Sequence, residues 1–270
     1  MSICRFSPTC VLTLSCVVLI VGMAQPAKAQ AVSTPPDALA QDAAQSTRRT
    51  PDFLFGRPRG SVGIRGSWLF ASARSDLFDF VRERLTIDER DFDAPAIGAD
   101  LAITVQPRVE AVFGIDFSRA QTSSEYRDYV DSNRLAITQD TRLTQVNLSG
   151  SARLALLPRG REISRFAWIP RAVTPYVGAG AGFLWYEFQQ DGDFVDFLDL
   201  SVFSDSFRSS GWTPSAHVFG GVDTKIWRRL FLTVEGRYVW ASAELDRDFS
   251  GFDPIDLDGL KVAAGINVLF

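Results

Sequence analysis

Residues 230–240 read LFLTVEGRYVW, and the charged side chains of this stretch fall on only one of its two sets of alternate positions. The even-numbered positions hold Leu, Leu, Val, Gly, Tyr and Trp, whereas the odd-numbered positions include Glu235 and Arg237. Successive side chains of a β-strand point to opposite faces. The alternation therefore predicts a strand with one uncharged face and one face that carries charge.

The same alternation recurs in eight segments separated by turn signals. The uncharged parity covers every second residue within 62–70, 97–105, 109–117, 146–156, 177–185, 216–226, 230–240 and 260–270. None of these 44 positions is charged. A charge on the lipid face of a membrane barrel costs roughly 2 to 4 kcal/mol near the midplane. The sequence thus predicts an all-β fold: a transmembrane, up-and-down antiparallel β-barrel of eight strands with no separate soluble domain.

The opposite parity holds the ionisable residues, which we expect to form a polar network in the lumen. It contains five anionic and five cationic side chains and the only histidine: Arg65, Asp100, Glu110, Asp116, Arg153, His217, Asp223, Lys225, Glu235, Arg237 and Lys261. Each buried charge needs a partner, so balanced signs in a narrow lumen predict a plug of ion pairs. A narrow pore for ions or small solutes is the alternative.

Alternation alone would also fit a secreted soluble barrel with an apolar interior. Two further features favour a membrane. Short connections near 106–108 and 227–229 alternate with long ones near 73–93, 119–140, 189–210 and 245–258, although the connection 158–174 breaks this rule. Aromatic residues also collect at strand ends, where we expect them at the membrane interfaces: Trp68, Phe70, Phe117, Trp185, Trp227, Tyr238, Trp240 and Phe270.

The first 29 residues have the features of a cleaved secretory signal peptide. Arg5 precedes an apolar run, and Ala27-Lys28-Ala29 supplies a small-residue cleavage site. All three cysteines lie in this leader. Residues 30–50 are predicted to be a disordered periplasmic arm, and residues 51–270 the barrel domain. Export through such a leader predicts the cell outer membrane as the location.

Two segments carry a resemblance to a known family. Residues 174–183, TPYVGAGAGF, and the last strand, residues 259–270 with its terminal Phe270, resemble the small outer-membrane β-barrel family that includes the membrane domain of outer-membrane protein A and related eight-stranded surface proteins. The resemblance implies that Phe270 is the signal read by the barrel-assembly machinery. Outer-membrane lipid and lipopolysaccharide are the expected surroundings, and a monomer is expected.

The sequence gives little indication of an enzymatic, metal-binding or nucleic-acid-binding activity. Without the leader the chain has 26 basic and 32 acidic side chains and no basic tract, which argues against nucleic acid. A lipid A-modifying enzyme with His217, Glu235 and either Ser215 or Ser242 is a second alternative, but no motif fixes that geometry. We therefore predict no enzyme, no cofactor and no metal site. The expected role is structural or surface-interacting, through acidic, Phe-rich outer loops.

Six arginines are expected on the periplasmic side, where they either contact anionic headgroups of the inner leaflet or are solvated without a specific role. They lie before the first strand and in the connection 158–174: Arg57, Arg59, Arg159, Arg161, Arg165 and Arg171.

Overall fold

A computed structural model describes residues 53–131, 134–196 and 199–270. The predicted leader and arm lie outside the described residues. The strands are β1 Gly60–Ala71, β2 Ala94–Gln106, β3 Val109–Val130, β4 Ala136–Ala155, β5 Gly160–Ser164, β6 Ala167–Pro170, β7 Val173–Val195, β8 Val202–Lys225, β9 Leu230–Ala243, β10 Ile255–Asp256 and β11 Gly259–Leu269. One α-helix, α1, spans Asp76–Arg84, and two 3-10 helices span Glu89–Phe92 and Arg247–Phe249.

Eight long strands form a closed antiparallel barrel. Their order is β1, β2, β3, β4, β7, β8, β9 and β11, and β11 pairs back onto β1 from Ser61 opposite Leu269 to Ala71 opposite Gly259. Closure pairs the backbone groups of both sheet edges, as a strand assembly in hydrocarbon requires. The predicted eight-stranded up-and-down barrel is confirmed.

The two faces of the strands are the ones that the alternation predicts. None of the 44 uncharged positions is buried, and Ile64 and Ile97 are about 65% exposed. On the opposite parity Glu110, Asp116 and His217 are almost fully buried. The barrel is thus apolar outside and polar within, the reverse of a soluble protein.

Two hairpins extend far beyond the stretch of apolar alternation. The β3–β4 and β7–β8 connections span only residues 131–135 and 196–201, so most of the long loops expected at 119–140 and 189–210 is paired strand. The outward face is polar there and the inward face mixes polar and apolar residues, so the uncharged apolar period of the outward face stops. Cross-strand hydrogen bonds such as Ser206 Oγ to Asp191 Oδ1 join these extensions.

The connection between β1 and β2 contains α1, an element the alternation does not predict. Ser75 precedes the helix, Asp76 lies in its first turn and Arg84 in its last, which suits the helix dipole. Its buried face, Leu77, Phe78 and Val81, packs on inward-facing residues of the extended strands. We call this apolar group the cap cluster; its core is Leu77, Phe78, Val81, Leu85, Ile87, Phe92, Leu143, Leu184, Tyr186, Phe188, Phe249, Ile255 and Leu257.

The opposite end of the barrel, where the short turns lie, is covered by a hairpin and by the residues before β1. The long connection expected at 158–174 contains the β5–β6 hairpin, and β7 already begins at Val173. Leu54 bridges to Trp168 of that hairpin, and both pack with Phe231 and Leu269. Within the described residues no helix is both long and apolar enough to cross a bilayer.

Candidate functional site

Arg65 lies at the centre of the barrel interior and bridges two strands. Its Nη1 is 2.7 Å from Asp100 Oδ1, and its Nη2 and Nε lie 2.8 and 3.2 Å from the two oxygens of Asp116. This fork geometry is the one in which guanidinium and carboxylate bind most strongly. Gly98 makes room for it, since a Cβ there would come within 2.3 Å of Asp116 Oδ1.

A second group of interior residues surrounds Glu235. Arg237 donates to Glu235 Oε1 at 2.9 and 3.1 Å, and the Tyr176 hydroxyl donates to Glu235 Oε2 at 2.9 Å. Arg237 Nη1 also lies 3.9 Å from Asp116 Oδ2, which links this group to Arg65. The buried Lys261 interacts electrostatically with the same aspartate.

A third group closes the interior at the short-turn end. Arg153 Nε donates to Glu110 Oε2 at 2.7 Å, and Thr233 Oγ1 donates to Asp223 Oδ1 at 2.7 Å. Arg159 pairs with Glu110 and lies 3.2 Å from Asp223. Arg153 Nη1 lies 3.8 Å from Asp223 Oδ2, the oxygen that Arg159 also contacts. Glu110, Arg153, Arg159 and Asp223 therefore form one cluster.

The position of Arg159 corrects the expectation that it faces lipid headgroups. Its side chain is only 17% exposed, because the connection into β5 folds back over the barrel end. Sequence reasoning missed Arg159 and Tyr176 as interior residues. The remaining predicted interior cation, Lys225, lies half-buried at the end of β8, where its backbone N–H donates to Ala172 O.

His217 has a different partner from those considered for catalysis. Its Nε2 is 2.7 Å from Ser151 Oγ, whereas Ser215 Oγ bonds to Asn147 Oδ1 at 3.3 Å. Ser242 is exposed on the outer parity of β9, so the structure does not bring it to His217 as the alternative of a catalytic pair would require. His217 is 1% exposed and stacks on Phe219. A nucleophile and base must both reach a substrate, and this pair is enclosed.

The space left inside the described barrel is small. A cavity of about 20 Å³ lies among Arg65, Tyr176, Glu235 and Arg237, which is room for about one water molecule. A larger cavity of about 310 Å³ opens at the short-turn end, lined in part by Arg57, Arg108, Arg159, Trp168 and Thr174.

The predicted interface aromatics lie on the outer surface near the ends of the apolar alternation, which places Phe117 and Trp185 in the middle of the long strands β3 and β7. Those exposed by more than a third are Trp68, Phe70, Phe117, Trp227, Trp240 and Phe270, and those half-buried are Trp185 and Tyr238. Trp212, directly opposite Trp185 on β8, is 59% exposed and was missed. The outward positions of β8 are even-numbered, and following them from Ala216 back to residue 212 would have identified this tryptophan. Phe270 donates its N–H to Gly60 O and accepts from Arg59 N, which ties the last residue to the first strand.

Several acidic loop residues bind backbone N–H groups. Asp76 accepts from Asp253 N, Asp246 from Ser210 N, Asp248 from Arg208 N and Asp258 from Ala241 N, at 2.8 to 3.1 Å. Burial raises the pKa of Asp258 above its ordinary value, whereas hydrogen bonds from Ser201 lower the pKa of the exposed Asp199. Among the described residues no three acidic, His or Cys side chains converge as metal ligands do. The acidic loops thus hold their own backbone in place.

No family model and no curated protein matches this chain. Among solved structures it is similar to small outer-membrane β-barrel proteins. Neisserial surface protein A matches with a TM-score of 0.42 and 14% identity, over 78% of this chain and 97% of that one. The attachment invasion locus protein Ail of Yersinia pestis matches with a TM-score of 0.37 and 12% identity, over 79% and 100%. The N-terminal β-barrel domain of OprF from Pseudomonas aeruginosa matches with a TM-score of 0.31 and 13% identity, over 79% and 100%.

Proposed function

We propose that this protein is an integral outer-membrane barrel with a closed lumen and a structural or surface-interaction role. The observation that carries the proposal is the complete separation of charge: 44 uncharged positions face outward, while the interior charges pair with one another. Export by residues 1–29, a surrounding of outer-membrane lipid and lipopolysaccharide, and a monomeric state belong to the same proposal. So does recognition of Phe270 by the assembly machinery.

Three layers of contacts support a closed lumen. The Glu110 cluster and the β5–β6 hairpin lie at the short-turn end, the Arg65 and Glu235 groups lie in the middle, and the cap cluster lies at the far end. An ion crossing the lumen would have to displace paired charges in the first two layers and then pass the apolar cap cluster. The barrel is therefore suited to holding its outer hairpins rigidly rather than to transport.

Conductance across a planar bilayer tests the closed lumen. We expect the folded full chain to insert without adding current above the bare bilayer, since every layer would have to open at once. A porin-type channel added to the same bilayer serves as the positive control. Steady or stepwise currents that require the protein would contradict the proposal and favour the narrow pore.

The outer hairpins are the surface that would meet a partner. They expose the apolar residues Val130, Leu135, Leu200 and Phe203, and the neighbouring helix α1 exposes Phe80. Exposed apolar groups on an otherwise polar loop surface often mark interaction sites. Their position at the outer ends of long paired hairpins supports a surface-interaction role.

A further inference from the structure

A groove lies on the outer surface of the barrel at its short-turn end. Residues 53–55 form one wall, the β8–β9 turn at residues 227–230 forms the other, and Val268 of β11 forms the floor. Its volume is about 390 Å³. Leu230 and Val268 belong to the uncharged outward parity, so the groove is continuous with the apolar belt.

The walls of this groove are aromatic and held in place. Phe55 is 85% exposed and Trp227 68% exposed, and the rings of Phe53 and Phe55 meet edge to face at 5.4 Å. Residues 53–55 are held against the β5–β6 hairpin, because Leu54 exchanges two backbone hydrogen bonds with Trp168 at 2.8 and 3.0 Å. Large apolar rings held at the edge of the belt are placed to contact acyl chains.

Two adjacent arginines, Arg228 and Arg229, line the same groove. Within the part of the chain that the structure describes, neither guanidinium has an ion-pair partner. Arg153, Arg159 and Arg237 in the interior are, by contrast, all paired. Unpaired guanidinium groups beside an apolar groove match a ligand with one anionic group and a hydrocarbon chain.

We propose that this groove binds one anionic phospholipid of the surrounding leaflet. An acyl chain lies against Phe55, Trp227 and Val268, and Arg228 and Arg229 hold the phosphate. The inference rests on the proposed membrane embedding and adds a specific lipid class and site to it.

Native mass spectrometry of the full chain released from nanodiscs tests the site. The nanodiscs contain phosphatidylcholine and phosphatidylglycerol in equal amounts, and we expect one phosphatidylglycerol to stay on each chain. The double variant Arg228→Ser/Arg229→Ser should weaken its retention about 30-fold, since each arginine near a membrane surface contributes about a fivefold preference. Phe55→Ser should weaken retention by removing a wall while leaving both charges.

The matched control is Arg161→Ser/Arg165→Ser, which removes two exposed arginines that are expected to face headgroups on the same side but do not line the groove. It should retain the lipid as the unaltered chain does. Equal loss in both double variants, retention of phosphatidylcholine to the same degree, or no retained lipid on a chain that has folded would overturn the site. Protease resistance in the nanodiscs reports folding separately, and a chain that never inserts would contradict the proposed function instead.

Discussion

Arg65 holds carboxylates from two different strands in one fork, so its removal leaves two buried charges without their main partner. Loss of one member of a buried ion pair costs about 3 to 5 kcal/mol. We therefore expect Arg65→Met to lower the free energy of unfolding by that amount, measured by urea unfolding from lipid vesicles with tryptophan fluorescence.

Arg208→Met is the control for this effect. Arg208 pairs with Glu187 outside the barrel and is 57% exposed, so its loss should cost under about 1 kcal/mol. Equal losses for the two variants would show that the interior pairs do not hold the barrel together.

Helix α1 illustrates what one element contributes beyond the strands. Phe78 is buried on its inner face and meets Phe92 and Phe188 edge to face, whereas Phe80 lies on its outer side. Truncating a buried Phe to Ala costs about 3 to 5 kcal/mol. We expect Phe78→Ala to lower the hydrogen-exchange protection of the Leu85 amide, which donates to Val81 O, by about two orders of magnitude.

Phe80→Ala should change that protection by much less than tenfold, because Phe80 is 38% exposed. Protection unaltered by Phe78→Ala would mean that the cap cluster does not anchor the helix.

The barrel as a whole depends on the uncharged belt. An arginine placed at Ala264, at mid-height on the outward face of β11, should cost roughly 2 to 4 kcal/mol in a bilayer and reduce the yield of folded protein in lipid vesicles. Arginine at Ser206, on an exposed hairpin, should leave the yield unchanged. Similar yields for Ala264→Arg and Ser206→Arg would contradict the assignment of faces.

The sequence predicts those parts of the fold that leave a pattern within a short stretch of residues. The strand count, the faces and the interior position of residues such as Asp116 follow from a period of two that eight short windows each display. The outer ends of β3, β4, β7 and β8 could not be predicted this way. Their outward face is polar, and their inward face mixes polar residues with apolar ones that pack in the cap cluster. Helix α1 was missed because its nine residues hold too few apolar positions to stand out.

The sequence alone determined which side chains face hydrocarbon, since a charge costs too much there for any exception among 44 positions. Only the tertiary structure decided which interior side chains pair. His217 bonds to Ser151 rather than to Ser215, and Arg159 pairs with Glu110 and Asp223. Those choices depend on the stagger between strands and on the fold-back of the β5–β6 hairpin. These pairs lie 49 to 66 positions apart in the chain, and no local sequence pattern encodes contacts over such separations.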